Sequence, residues 1–209
     1  MIPEKGKMFY NAIDNYNVMY YVFKIPILPK IWKIIFKANG DMKYILTPLT
    51  SQSRGIAIFL NNNFDYKVHN KLDDTSCNFL ALDITFSNTR VCLVVIYGPN
   101  EDCPQFYKMV SEAISNLGND NVIMVGDFNL VINPEKEYHN YLHINNKQER
   151  QCLKLSQHAT YLMYIERSIQ KSYTWRKPNP LKQARLDFFL ISNSLLNMVQ
   201  ANDILASYK

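Results

Sequence analysis

The chain has 209 residues, 47% of them hydrophobic, 13% aromatic and 20% charged, which excludes a disordered polypeptide and suffices for the core of one domain. Its net charge of +5 is uneven: residues 1–50 hold seven Lys against three acidic residues, and residues 51–209 hold 16 basic and 15 acidic residues, so basicity beyond residue 50 is a matter of local clusters. No apolar run approaches the roughly 20 residues of a membrane helix, so no membrane partner is expected. The four cysteines (Cys77, Cys92, Cys103 and Cys152) form no C-x-x-C pair, so no zinc site is expected either. No signal peptide is visible, and free thiols in a reducing compartment are the expectation.

Residues 1–50 read poorly. Met19 to Phe23 and Ile31 to Phe36 are apolar, but Pro26 and Pro29 interrupt them, and Pro removes a backbone donor and fixes φ. From residue 51 the pattern becomes regular. Gly55 to Leu60 is a short apolar run closed by three Asn, a strand and a turn. Phe79 to Phe86 and Arg90 to Tyr97 read as strands, and Ser87-Asn88-Thr89 between them predicts an antiparallel hairpin. Phe106, Met109, Val110, Ala113, Ile114 and Leu117 recur at helical spacing; Pro104 suits the first turn and Gly118 stops the helix. Asn121 to Val125 reads as a buried strand, Lys147 to Ala159 as a second helix and Tyr161 to Ile165 as a short strand. Ser172 to Trp175 and Arg185 to Ile191 read as two more strands around a turn at Pro178 and Pro180. Strands mixed with helices, several apolar on both faces, predict a layered α/β or α+β domain.

Four segments carry side chains able to do chemistry. Gly126-Asp127-Phe128-Asn129 follows a buried strand, so alternation predicts Asp127 and Asn129 on one side and Phe128 in the core. A carboxylate and a carboxamide at a strand end can orient a water for attack on phosphorus; taken alone, the segment is more often a turn. Tyr97-Gly98-Pro99-Asn100 ends another strand, where a phenol and an amide can donate to phosphate oxygens, and it too reads as a turn by itself. Asp187 lies within the apolar run Leu186 to Ile191 and needs a partner, either a His or the neighbouring Arg185 or Lys182. Lys171 to Arg185 holds five basic residues and no acid, with Tyr173 and Trp175 interleaved; this suits nucleic acid, and equally a solvated basic loop around a core Trp. His139 and His143 are four apart, but the Pro134 and Asn content nearby argues against a helix, and no metal pair is expected there.

The order of these segments is more specific than any one of them. Ser53-Arg54-Gly55-Ile56-Ala57-Ile58, then Tyr97-Gly98-Pro99-Asn100, Gly126-Asp127-Phe128-Asn129, Tyr173-Thr174-Trp175-Arg176 and Arg185-Leu186-Asp187-Phe188-Phe189 resemble, in series, the exonuclease–endonuclease–phosphatase superfamily. Asn179 to Asp187 is especially similar to the apurinic-type endonuclease domain of LINE-1-like retrotransposon polyproteins. The resemblance covers residues 51–209 and leaves 1–50 as a divergent segment. It implies a DNase I-like four-layer sandwich, two β-sheets flanked by helices, and Mg²⁺-dependent nicking of DNA that leaves a 3′-hydroxyl for reverse transcription. By position it implies that Asp127 activates the attacking water and that Asn129 holds water and phosphate. Tyr97 and Asn100 would bind the scissile phosphate region, and Asp187 would hold a catalytic His. Trp175, Arg176 and Lys177, with Lys182 and Arg185, would face DNA. A longer polyprotein with a reverse transcriptase, acting in the nucleus, is the implied setting.

Two departures qualify this. The family's early Asn strand and its Glu-Thr metal-ligand strand have no match in residues 1–50, where Glu4 is the only Glu. The family's Ser-Asp-His motif would begin about where Ala206-Ser207-Tyr208-Lys209 stands. The domain is therefore expected to be incomplete at both ends, to hold Mg²⁺ poorly and to have little or no nuclease activity. A non-catalytic remnant that binds nucleic acid through 171–185, and a phosphatase of the same superfamily, are the alternative expectations.

Overall fold

The computed structural model describes residues 8–13, 42–46, 56–61, 65–74, 76, 78–86, 88–131, 138–139, 162–164, 173, 175–177 and 179–205. In chain order the strands are β1 (Met8–Ile13), β2 (Met42–Leu46), β3 (Ala57–Asn61), β4 (Tyr66–Asp73), β5 (Phe79–Phe86) and β6 (Thr89–Tyr97). Helix α1 (Pro104–Leu117) follows, then β7 (Val122–Asp127), β8 (Tyr138–His139), β9 (Leu162–Tyr164), β10 (Trp175–Lys177) and β11 (Lys182–Ala184). The described part closes with β12 (Asp187–Ser192), a 3-10 turn (Asn193–Met198) and β13 (Val199–Leu205). The expected helix over 147–159 lies outside the described residues, as do His143, His158, Cys77 and Cys152.

The centre is a mixed six-stranded sheet in the order β4-β5-β6-β7-β12-β9, in which only β6 and β7 run parallel among the described pairs. The parallel step follows from α1, which carries the chain back across the sheet. The β5–β6 hairpin closes as the Ser87-Asn88 turn predicts, with Phe86 opposite Thr89. Buried apolar residues dominate β5, β6, β7 and β12 because both faces of this sheet are covered.

One face packs on α1. Phe79, Ala81, Cys92, Val94, Ile96, Met124, Phe128, Phe188 and Leu190 meet Phe106, Tyr107 and Val110 of the helix. Pro104 begins α1 where its missing N–H costs nothing, and Gly118 ends it with a left-handed φ of 61°, donating its N–H to Ser115. The other face packs on a second sheet. Leu80, Leu82, Ile84, Leu93, Val95, Ile123, Val125, Phe189 and Ile191 meet Ile56, Ile58 and Leu60 of the β3 segment. Helix, sheet and second sheet are three of the four layers of the expected sandwich, and the fold class is the DNase I-like α/β arrangement.

The first 50 residues contribute two strands that their composition does not announce. β1 pairs antiparallel with β13 and β2 with β3, so each is joined to a segment far along the chain or just past it. The strand boundaries near the C-terminus also differ from the sequence reading. The strand expected over Arg185 to Ile191 is β12, which begins two residues later at Asp187; β11 before it was not expected, and the strand expected to end at Trp175 begins there. Local propensity does not see these boundaries because pairing partners set them: Trp175 faces Ala184, and Gln183 faces His139.

Two polar groups hold the sheet's lower end. Ser192 Oγ is buried; it accepts the Val122 N–H at 2.5 Å and lies 2.7 Å from the Asp120 carbonyl, fastening β12 to β7. Asp83 is 2% exposed in the middle of β5 and is met by the Arg90 guanidinium (2.5 Å) and the Asn119 amide (3.2 Å). The Arg90 hydrogen bonds hold the Asp83 carboxyl below its ordinary range; burial opposes this and Asn119 adds to it. Cys92, opposite Asp83, is pushed up to about 12 by burial and by that carboxylate, so it acts as an apolar core residue.

Because the folded-state pKa of Asp83 is depressed, its contribution to stability is present above the unfolded carboxyl value of about 3.9 and is lost as pH falls through the folded value. Urea midpoints measured at pH 7, 4 and 3 should therefore fall less steeply with acid in Asp83→Asn than in the wild type. An unchanged acid slope would mean that the Arg90 pair does not set it.

Candidate active site

Strand register brings three of the sequence-selected residues together. Tyr97 lies beside Asp127 across the parallel β6–β7 pair, and Asp127 lies opposite Asp187 across the antiparallel β7–β12 pair. The next row on the same face is Val95, Val125 and Phe189, and the row below that is Leu93, Ile123 and Ile191. Side chains alternate with period two, so one polar row caps two apolar rows on the face toward the second sheet. The polar row stands at the open end of the inter-sheet core. Tyr97 and Asp127 are half-buried there, and Asp187 is fully buried.

The Tyr97-Gly98-Pro99-Asn100 and Gly126-Asp127-Phe128-Asn129 segments are tied to each other by hydrogen bonds. Gly98 N–H donates to the Asp127 carbonyl at 2.7 Å, and the Asn129 carboxamide donates to the Gly98 carbonyl at 2.5 Å. The Asn129 N–H donates to Asp127 Oδ1 at 3.0 Å. The Phe128 N–H donates to the Leu186 carbonyl at 2.7 Å, and its ring meets Phe188 edge-on at 5.5 Å. The Tyr107 hydroxyl of α1 donates to the Phe128 carbonyl.

The placement of Asn129 corrects the simple alternation. β7 ends at Asp127, and Asn129 adopts a left-handed φ of 49°, so it is not a second strand residue on Asp127's side. Asn is among the residues that tolerate this conformation, and here its carboxamide nitrogen is turned to the Gly98 backbone. Phe128 does enter the core as expected, on the α1 face.

The two glycines have separate reasons. A Cβ on Gly126, whose φ is 151°, would overlap the Ile96 carbonyl of the neighbouring strand. A Cβ on Gly98 would overlap the Phe128 carbonyl and stand 2.5 Å from the Tyr107 hydroxyl. Tyr107 was not legible as a site-adjacent residue in the sequence: it is not one of the residues from which the apolar spacing of the helix is read, and only its hydroxyl marks it.

The basic segment leads directly into the site. β10 and β11 form a hairpin in which Trp175 faces Ala184, Arg176 faces Gln183 and Lys177 faces Lys182. Trp175, Lys182 and Arg185 are half-buried, and Leu181 at the turn is 43% exposed. Arg185-Leu186 then joins the hairpin to Asp187. Asn100 is exposed past the end of β6. The hairpin and the polar row are thus joined along the chain through Arg185-Leu186.

Asp187 Oδ1 is buried and accepts no hydrogen bond among the described residues, although the residue has other interactions. No group of three or more His, Cys, Asp or Glu side chains is placed to hold a metal among the described residues. Asp127, Asp187 and Asn129 thus do not by themselves make a Mg²⁺ site of ordinary donor number. Asp127 can accept a proton from, or orient, a water at the open end; Tyr97 and Asn100 can donate to an anionic oxygen beside it.

Gly126→Ala should be strongly destabilising, because the clash is with backbone and the φ is strained for an L side chain. A loss of more than about 2 kcal/mol by urea unfolding is expected; a loss under about 0.5 kcal/mol would show that the strand spacing relaxes freely.

No family model matches the chain. Solved structures do. The endonuclease domain of TRAS1, a telomere-specific non-LTR retrotransposon, aligns over 77% of this chain and 71% of its own length at 12% identity, with a TM-score of 0.59. D. rerio TDP2 complexed with single-strand DNA product aligns over 85% of this chain and 72% of its own, at 16% identity and a TM-score of 0.58. An endonuclease/exonuclease/phosphatase family protein from Bacteroides thetaiotaomicron aligns over 77% and 63%, at 13% identity and a TM-score of 0.53. At these identities the likeness is one of fold. No described helix is long and apolar enough to cross a membrane. Sheet order, two-faced core and structural neighbours together identify the fold of this chain as that of the DNase I-like endonuclease/exonuclease/phosphatase superfamily.

Proposed function

We propose that the chain is a DNA endonuclease domain of a LINE-type retrotransposon, hydrolysing a phosphodiester of one strand with Mg²⁺ and leaving a 3′-hydroxyl. The observation that carries this reading is the row Tyr97, Asp127, Asp187 at the end of the inter-sheet core, with the basic and aromatic β10–β11 hairpin immediately preceding Asp187 along the chain. A retrotransposon endonuclease and a protein bound to a DNA product among the structural neighbours support the substrate class.

In this reading Asp127 takes a proton from the attacking water or orients it. Asn129, held on Gly98 through its amide nitrogen, has its carbonyl oxygen for that water. Tyr97 and Asn100 donate to the scissile phosphate region, where negative charge grows in the transition state. Asp187 is too buried to meet a substrate and acts through a partner, which the resemblance gives as a His. Trp175, Arg176, Lys177, Lys182 and Arg185 form the DNA-facing side; Leu181 at the hairpin turn adds an apolar side chain of the kind that enters a groove. Asp127 and Asp187 alone would hold Mg²⁺ poorly, so low activity is expected.

The test is supercoiled-plasmid nicking. Slow nicking that needs Mg²⁺, stops with EDTA and falls at least about 100-fold in Asp127→Ala is the expected result. DNA binding with no nicking at any Mg²⁺ concentration would make the chain a binding remnant, and turnover of phosphate monoesters in place of DNA would make it a phosphatase. The hairpin is tested separately: Lys182→Ala should weaken DNA binding across unrelated sequences and reduce the slope of log affinity against log salt by roughly one. An unchanged slope would remove Lys182 from the DNA contact.

A further inference from the structure

The peptide unit between Phe128 and Asn129 is held at both ends. Its carbonyl accepts the Tyr107 hydroxyl, and its N–H donates to Asp127 Oδ1 at 3.0 Å. A peptide unit is a rigid plane, so a group that fixes its carbonyl also fixes the direction of its N–H. The hydroxyl of a helix residue on one face of the sheet is thereby linked, through one peptide, to the carboxylate that faces the other side.

Tyr107 is suited to this. It is fully buried, its ring is braced edge-on by Phe106 at 5.1 Å, and it stands on the first turn of α1, where the helix begins directly after the Tyr97 to Asn100 turn. The space its hydroxyl uses is the space a side chain at residue 98 would need, so Gly98 and Tyr107 are steric complements. The same peptide plane leads into Asn129, whose φ is left-handed and whose carboxamide holds Gly98. Among the described residues no other donor is hydrogen-bonded to the Phe128 carbonyl.

We infer that Tyr107 is a positioning residue of the site: its hydroxyl holds the Phe128–Asn129 peptide so that the Asp127 carboxylate and the Asn129 carboxamide keep their places against the Tyr97 to Asn100 turn. It touches no substrate. The catalytic part of this inference rests on the endonuclease reading, whereas the structural part does not.

Tyr107→Phe removes only the oxygen, and two readouts separate the two parts. By amide hydrogen exchange, the Asn129 and Gly98 N–H groups should exchange about tenfold faster in Tyr107→Phe while those of β5 and β6 keep their wild-type rates. Unchanged exchange at Asn129 and Gly98, or equal acceleration throughout the sheet, overturns the inference. By nicking, kcat should fall about tenfold to 100-fold, the scale of a sub-ångström to 1 Å misplacement, with DNA affinity within about twofold of wild type. The control is Val110→Ala, a core truncation on the same helix that leaves the Phe128 carbonyl bonded. An equal loss of kcat in that control would make Tyr107 merely structural and overturn the inference. If the wild type does not nick DNA, the endonuclease reading fails and the exchange arm still decides the positioning role. Should Tyr107→Phe not fold, site-specific 3-fluorotyrosine at 107 keeps the bond and strengthens the donor. Slower exchange at Asn129 is then expected, and unchanged or faster exchange overturns the inference.

Discussion

The site depends on the register of three strands. Because β6 and β7 pair with Tyr97 beside Asp127, and β7 and β12 with Asp127 opposite Asp187, one row of polar side chains stands above two apolar rows on a single face. A shift of one residue in either pair would send Asp187 or Tyr97 into the α1 face and Phe188 or Ile96 toward the second sheet. The apolar rows make that shift expensive. Burying an apolar side chain of this size is worth roughly 1.5–3 kcal/mol, and six of them line the two rows. The core that stabilises the fold is therefore also what aligns the polar groups.

The backbone around this row is dense with constraints that are individually modest. Gly98 and Gly126 are small because carbonyls of Phe128 and Ile96 come within the reach of a Cβ. Phe128 is fixed through its N–H, its carbonyl and its ring at once, by Leu186, Tyr107 and Phe188. Such over-determination is how a residue like Asn129 is kept at a positive φ, which costs energy for a side-chain-bearing residue. The opposite end of the sheet carries a different device, the Asp83–Arg90–Asn119 cluster and the buried Ser192 hydroxyl, which satisfy polar groups and have no part in the polar row.

Charge is arranged separately from the core. The edge strand β4 is exposed along most of its length, carries Lys67 and Lys71, and has an irregular register at His69, all of which discourage pairing with another chain. The basic residues near the site instead belong to the short β10–β11 hairpin, where Lys177 and Lys182 face each other across the pair. Like charges at opposed positions destabilise a hairpin by themselves.

Much was legible in the sequence. Alternation and turn residues located β5, β6, α1 and β7, because these segments have strong local periodicity and clear stops at Ser87-Asn88, Pro104 and Gly118. The order of the motif segments indicated the fold class before any pairing was known. What sequence could not supply was anything set by partners distant along the chain. β1 and β2 are strands because β13 and β3 pair with them, and β11 separates from β12 because Ala184 faces Trp175 and Tyr138 while Asp187 faces Asp127. Asn129 turns away from the strand because Gly98 is there to accept its amide, and Tyr107 becomes more than a core aromatic only because the Phe128 carbonyl lies at its hydroxyl. Sequence determined which residues are able to do chemistry and which local elements carry them; tertiary structure alone decided which of them share a face, since register is a property of pairs of strands and not of any one.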